Sequence, residues 1–252
     1  MPKFTLEGKT AIVTGAARGI GREIALVFAH SGAHLILVDV LKEELMKTAE
    51  EMDRTGRKNL SIAADISNTK QIKRLIRDVL NEFDRIDILV NNAGVIDNNP
   101  ATEVTEEQWD KTLNVNLKGL FFLSQAVGKH MVKERRGKII NIASQAGVIA
   151  LPNHAAYSAS KAGIISITKT LALEWGKFNI NVNAIAPTVI LTPLGKKAWA
   201  DPQIQSEMLK KIPLGRFGEP SEVAAIALFL ASEASSLITG STIMADGGYT
   251  AH

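Results

Sequence analysis

Short apolar runs alternate with longer stretches of helical period from one end of the chain to the other. Runs at residues 10–14, 35–39, 60–64, 86–91, 138–142, 181–185 and 241–245 are brief and apolar on both parities, as in strands buried on both faces. Between them, residues 19–30, 42–54, 68–83, 106–134, 156–177 and 219–231 repeat their apolar positions with the period of a helix. Two helix starts are marked locally: Thr105 and Gln108 have capping-box spacing, and Pro220 stands in the first turn of the last helix. Seven strands separated by helical crossovers predict an α/β fold, a doubly wound seven-stranded parallel sheet of Rossmann-like type. No repeat, low-complexity tract or linker divides the chain, so residues 1–252 are expected to form one domain. The segment 187–220, with a short helical stretch at 203–211, is expected to be a lid covering a substrate. In such sheets ligands bind beyond the carboxyl ends of the strands, so the residues after each strand carry the chemistry.

Composition narrows the partners. With 252 residues, 46% hydrophobic and 22% charged, the chain can bury a core without staples. The absence of cysteine excludes disulfides, thiolate metal sites and a cysteine nucleophile. No apolar run approaches ~18 residues and no targeting pattern precedes Leu6, which predicts a soluble, cytoplasmic protein without a membrane partner. The net charge of +3 comes from 29 basic and 26 acidic residues spread along the chain. Its densest basic cluster, Lys133 to Lys138, contains Glu134 and reads as a solvated turn, so no nucleic-acid partner is expected.

Candidate chemistry gathers at the strand ends. After the first strand, Thr14-Gly15-Ala-Ala-Arg18-Gly19-Ile20-Gly21 opens a helix, and glycines there let the backbone approach a pyrophosphate seated on the helix N-terminus. The glycine intervals are four and two, unlike the usual G-x-G-x-x-G, and a plain packing turn is the competing reading. Asp39 ends the second strand 18 residues beyond Gly21, where a carboxylate accepts from ribose hydroxyls and repels a 2′-phosphate. This favours NAD over NADP; the alternatives are a cap for the helix from Lys42, and a 2′-phosphate role for Arg18. Tyr157 and Lys161, four apart, share a helix face, and an ammonium beside a phenol favours the phenolate. Without such help a tyrosine titrates near pH 10 and is almost wholly protonated at neutrality. Asn91-Asn92-Ala93-Gly94 follows the fourth strand, and Asn141-Ile-Ala-Ser144 follows the fifth with Tyr157 13 positions beyond Ser144. Asn91 and Asn141 are read as satisfying backbone groups rather than touching a substrate.

Taken together with Asn116 and with Asn181-Val-Asn183-Ala-Ile-Ala-Pro187, these motifs mark a resemblance over essentially the whole chain to the short-chain dehydrogenase/reductase family. The resemblance implies that Tyr157 is the catalytic acid/base, that Lys161 lowers its pKa and holds the nicotinamide ribose, and that Ser144 binds the substrate oxygen. It implies a water-mediated proton relay from Asn116 through Lys161. For the cofactor, NAD, it implies Gly15, Arg18, Gly19, Ile20, Gly21 and Asp39, then Asp65 with Ile66 at the adenine, Asn92 and Gly94, and Pro187, Ile190 and Thr192 near the carboxamide, besides Tyr157 and Lys161. The family commonly has Pro-Gly where this chain has Pro187-Thr188, so either the lid sits differently or the threonine adopts an allowed conformation.

A substrate pocket lined by Ser144, Gln145, Asn153, His154, Tyr157 and residues 187–199 is rich in hydrogen-bonding groups, which suits a small hydroxylated substrate over a steroid. His154 reads first as a rim residue and second as a ligand. Residues 191–199 and 246–249 are similar to those of sugar- and polyol-oxidising members, so the expected reaction exchanges a hydride between NAD(H) and a secondary alcohol or ketone. A 3-oxoacyl thioester reductase is the enzymatic alternative, disfavoured by Asp39 and by Phe178, which stands where a basic rim residue would serve an acidic carrier. A nucleotide-sensing protein without catalysis is the other alternative, disfavoured by the presence of both Tyr157 and Lys161. By analogy the chain is expected to be a homotetramer, with Trp109, Leu113, Ile165 and Trp175 on the interface helices.

Overall fold

The computed structural model describes residues 4–251. Seven strands form one parallel sheet in the order β3-β2-β1-β4-β5-β6-β7. They are β1 (Thr10–Thr14), β2 (His34–Asp39), β3 (Asn59–Ala63), β4 (Ile88–Asn91), β5 (Gly137–Ile142), β6 (Ile180–Pro187) and β7 (Thr242–Ala245). The order reverses direction between β1 and β4, which opens a crevice at their carboxyl ends. The apolar runs are continuous because both faces of the sheet are covered. Ala11 and Val13 pack with Ile24 and Phe28 of helix α1 (Gly19–His30) and Val223 and Leu230 of helix α9 (Pro220–Ala231) on one face. Ile12, between them, points the other way to Ile76 of helix α3 (Thr69–Glu82) and Leu123 of helix α5 (Leu120–Glu134).

The remaining helices are α2 (Lys42–Asp53), α4 (Glu106–Leu113), α6 (Ala155–Trp175), α7 (Pro193–Ala198) and α8 (Pro202–Leu209). The Thr105–Gln108 capping box forms as the spacing predicts, and Pro220 takes the first position of α9. One long helix expected over residues 106–134 is interrupted: Asn114–Gly119 winds as a π-turn between α4 and α5. No proline marks it; the side chain of Asn116 is instead held by Val95 across the chain. Asn91 and Asn141, facing each other across β4 and β5, satisfy side chains rather than backbone. Asn91 Nδ2 donates to Asn141 Oδ1 and Ser124 Oγ, and Asn141 Nδ2 donates to Thr168 Oγ1.

Two positions singled out in the sequence take the following places. Trp175 is half-buried, and its ring packs on Gly128 of α5, where an added Cβ would approach Trp175 Cη2 to 2.5 Å. Thr188 adopts an allowed conformation, the second of the two outcomes expected for it: positive φ among the described non-glycine residues occurs at Arg135, Asn153 and Asn179, and the Thr188 N–H donates to Ala245 O at 3.1 Å. From there residues 187–220 run out through α7 and α8 and return at a parallel bridge between Ile190 and Gly218. Met208, Ile212 and Phe217 in this segment form a small cluster of their own with Trp199 and Tyr249.

Candidate active site

A cleft of about 380 Å³ lies at the carboxyl ends of β1, β2, β3 and β4. Its phosphate end is the β1–α1 turn, where Gly15 (φ +66°) and Gly19 (φ +58°) take left-handed conformations. A Cβ on Gly21 would meet Gly15 O at 2.1 Å, so the turn closes only with glycine there. No side chain caps α1 and no acid occupies its first turn, which leaves an electropositive helix end facing the cleft. Thr14 and Asn92 staple this turn to β4. Thr14 Oγ1 accepts from the N–H groups of Asn92 and Ala93, both at 3.0 Å, while Asn92 Nδ2 donates to Thr14 O at 2.9 Å.

Along the cleft stand Arg18, Ile20, Asp39, Asp65, Ile66, Asn92, Gly94 and Thr192, all anticipated from the sequence, and Leu41, Val95 and Val115, which were not. The Asp39 carboxylate is fixed by two backbone groups, Oδ2 accepting from Ala17 N (3.1 Å) and Oδ1 from Leu41 N (3.0 Å). It is not the helix cap; Leu41 occupies that position of α2. Arg18 reaches away to Glu44, 4.0 Å distant, and is exposed. Pro187 and Ile190 are absent from this wall. Pro187 ends β6, and Ile190 lines a separate cavity of about 500 Å³ with Thr188 and Gly248. This donor set fits a dinucleotide: an uncapped glycine-turned helix end for the pyrophosphate and a pre-oriented carboxylate at the second strand for a ribose.

At the inner end of the cleft the four residues of the expected catalytic group come together. A Cβ on Gly94 would lie 3.3 Å from Asn116 Oδ1 and 3.7 Å from Lys161 Nζ. Lys161 is 4% exposed, and its Nζ donates to Ile142 O at 2.8 Å and lies 5.5 Å from the centroid of the Tyr157 ring. Burial pulls the ammonium down to about 8. Burial also pushes the Tyr157 phenol above its ordinary value, with the Ser144 hydroxyl facing it and offsetting part of the rise. The pairing of Tyr157 with Lys161 therefore does not yield a depressed phenol in the protein alone. The lysine's ammonium is turned toward the Ile142 carbonyl, and the desolvation of a phenolate sets the direction of the Tyr157 shift.

Asn116 is fully buried and its side-chain amide is engaged at both ends. Its Oδ1 accepts from Val95 N (2.8 Å), and its Nδ2 donates to Val95 O (2.9 Å) and Ser160 Oγ (3.1 Å). Ser160 Oγ in turn donates to Tyr157 O at 2.7 Å. Ser160 was missed; its only sequence signal is its position one residue before Lys161, on the turn shared with Tyr157. A π-turn inserts a residue into the helical ladder and frees main-chain groups, and such turns concentrate at functional sites.

The expected substrate residues separate by depth. Ser144 caps a short turn over Gln145–Gly147, its Oγ accepting from Ala146 N at 3.1 Å. Gln145 is 3% exposed. Asn153 is exposed at φ +64°, and its carbonyl accepts from Asn99 N at 3.1 Å. His154 sits at the rim with its ring edge-on to Tyr157, centroids 6.0 Å apart, and its Nδ1 bonded to Pro152 O. Among the described residues no cluster of His, Asp and Glu could hold a metal, and no helix is long and apolar enough to cross a membrane.

A family model described as enoyl-(acyl carrier protein) reductase matches residues 15–250. An NAD-dependent glycerol dehydrogenase of Listeria innocua is 50% identical over 247 residues, 98% of this chain and 96% of that protein. A D-threitol dehydrogenase of Mycolicibacterium smegmatis is 46% identical, covering 98% and 95%. A 3-oxoacyl-[acyl-carrier-protein] reductase of Thermotoga maritima is 44% identical, covering 96% and 98%. A solved gluconate 5-dehydrogenase of Burkholderia cenocepacia, in complex with NADP and tartrate, superposes with a TM-score of 0.95 at 33% identity, covering 100% of this chain and 98% of that one. With the parallel sheet, the glycine turn and the Ser144–Tyr157–Lys161 grouping now in place, this chain belongs to the short-chain dehydrogenase/reductase family.

Proposed function

We propose that this protein is an NAD-dependent dehydrogenase of a polyol, sugar or sugar acid, interconverting a secondary alcohol and a ketone. The observation that carries the reading is the convergence of Ser144, Tyr157 and Lys161 on the inner end of a cleft suited to a dinucleotide. When bound, the nicotinamide supplies the hydride chemistry. The chain's own task is to orient the alcohol and move one proton. Ser144 Oγ holds the substrate oxygen beside the phenol, and Tyr157 gives or takes the proton. A phenol kept protonated by burial is ready as an acid toward a ketone; as a base toward an alcohol it relies on the cation of Lys161. Asn116, with its amide engaged on Val95 and Ser160, acts through its main chain at the π-turn, where a water passing protons to Lys161 would bind. Residues 187–220 act as the lid, rooted at Thr192 against Gly19.

Relatives named for glycerol and D-threitol support the polyol reading over the 3-oxoacyl thioester alternative, which the Thermotoga relative keeps in play. Purified protein with NAD is expected to oxidise members of a panel of polyols, aldoses and aldonic acids. Activity confined to 3-oxoacyl thioesters would replace this reading. The same reading takes the protein as a cytoplasmic homotetramer, supported by exposed Trp109 on α4 and Leu173 on α6.

The NAD preference rests on Asp39. A carboxylate held by Ala17 and Leu41 cannot turn away from a 2′-phosphate, so discrimination comes from repulsion. Asp39→Asn, which removes the charge and retains an acceptor oxygen, is expected to shift the kcat/KM ratio toward NADP by about ten-fold or more. A wild-type enzyme that already prefers NADP would contradict this.

A further inference from the structure

The two cavities described above open at the carboxyl ends of the strands. A third, of about 270 Å³, lies at the opposite edge of the sheet, between the amino ends of β1, β4, β5 and β6, and the dehydrogenase reading makes no use of it. Lys9, Asp87, Arg136, Lys138, Asn181 and Glu233 line it. Five of these carry charge, and the charges do not cancel. Asp87 is matched from outside the cavity, its Oδ2 accepting from Arg85 Nε and from Thr10 N, both at 3.0 Å. That leaves Glu233, exposed and 3.7 Å from Lys9 Nζ, against the three cations Lys9, Arg136 and Lys138. Arg136 meets the exposed carboxylate of Glu134 at 3.9 Å, a loose contact.

Lys138 is the buried member of the set, 9% exposed. An ammonium carries three donors, and the described residues accept one of them, Nζ donating to Asn181 Oδ1 at 2.8 Å. That acceptor is fixed, because Asn181 Nδ2 is committed to Ser236 O (3.2 Å) and Ile238 O (3.0 Å). The main chain of Lys138 is anchored as well, its N–H donating to Asp87 O at 2.9 Å. Burial pulls the ammonium below the ordinary lysine value, Glu233 opposes the fall and Lys9 adds to it. A buried cation with donors to spare is costly unless an anion meets them. We propose that this cavity binds a phosphate group, held by the ammonium groups of Lys138 and Lys9 and the guanidinium of Arg136. A phosphate carries about −1.5 to −2 charge near neutrality and presents its acceptor oxygens in several directions, which suits donors arriving from the ends of both β1 and β5. A carboxylate brings a single charge and two oxygens in one plane.

The test titrates the protein with inorganic phosphate by calorimetry and by Tm, with NADH at saturation so that the cofactor cleft is filled, and with chloride holding the ionic strength constant. One phosphate per chain is expected to bind saturably and to raise Tm with concentration. Lys138→Met is expected to weaken binding by about ten-fold or more, the loss that follows removal of a charged donor. Two exposed changes should act in opposite directions, Lys9→Gln weakening and Glu233→Gln tightening binding by about three-fold each. Lys47→Gln, an exposed charge change on α2, should leave it unaltered. Methyl phosphate separates the two sources of the group: binding equal to that of inorganic phosphate points to an ester, and binding of inorganic phosphate alone points to the free ion. Absence of saturable binding, an equal rise of Tm with chloride, or a folded Lys138→Met protein that binds as tightly as the wild type would overturn the proposal. Should Lys138→Met not fold, the Lys9 and Glu233 variants decide, and shifts of the same sign or no shift in both would overturn it.

Discussion

Tyr157→Phe is expected to lower kcat by about a thousand-fold, in the middle of the range of positioned acid–base catalysis, while leaving NADH binding and folding nearly unchanged. The reason lies in what the substitution removes. The ring stays, and with it the edge-on contact with His154 and the face toward Lys161. Only the hydroxyl is lost, and it is the one group near Ser144 able to exchange a proton with a bound alcohol at that point. A replacement water would need room and partners beside the Ser144 hydroxyl. The measurements are the rate of NADH formation, NADH affinity by fluorescence titration, and Tm for both proteins. A nucleotide-sensing protein without catalysis would show no rate in either protein and unchanged NADH affinity. A variant as fast as the wild type would remove Tyr157 from the chemistry.

Much of this site is legible in the sequence because its groups are local. The glycine turn, Asp39 at the end of β2 and the Tyr157–Lys161 pair are each set by a spacing along one element, and the parallel sheet brings the strand ends together. What spacing did not disclose is burial. Lys161 was expected to lower the pKa of Tyr157, and in the protein alone desolvation dominates both groups. The π-turn at Asn114–Gly119 was also invisible, since its cause is a tertiary bond from Asn116 to Val95 and not a local breaker. Helix α7 was missed because it is six residues long and starts at Pro193, which reads as a turn. The packing of the Trp175 ring was equally hidden, since Gly128, on which it rests, belongs to another helix.

The same burial of Lys161 leads to the second large effect: Lys161→Met is expected to abolish turnover and yet raise stability at neutral pH. In the folded protein the ammonium has one acceptor, Ile142 O, and its pKa falls from 10.5 to about 8. That displacement corresponds to roughly 3 kcal/mol of cost to the charged folded state, of which the lost bond to Ile142 returns about 1 kcal/mol when the lysine is removed. A net gain on the order of 2 kcal/mol is therefore expected in the variant at pH 7. The pH dependence has a fixed sign. Below about 8 the lysine is charged in both states and the whole cost is present. As pH rises from about 8 toward 10.5 the folded lysine loses its proton while the unfolded one keeps it, so the wild type gains stability over that window. The Tm advantage of Lys161→Met should accordingly shrink between pH 7 and 9.5, before the raised Tyr157 phenol begins to differ from an unfolded tyrosine. Loss of stability in the variant at pH 7 would mean that the ammonium is better satisfied than its single bond to Ile142 indicates. A stabilised and inactive variant would mean that the fold bears the cost of a buried cation for the sake of the proton it helps Tyr157 to move.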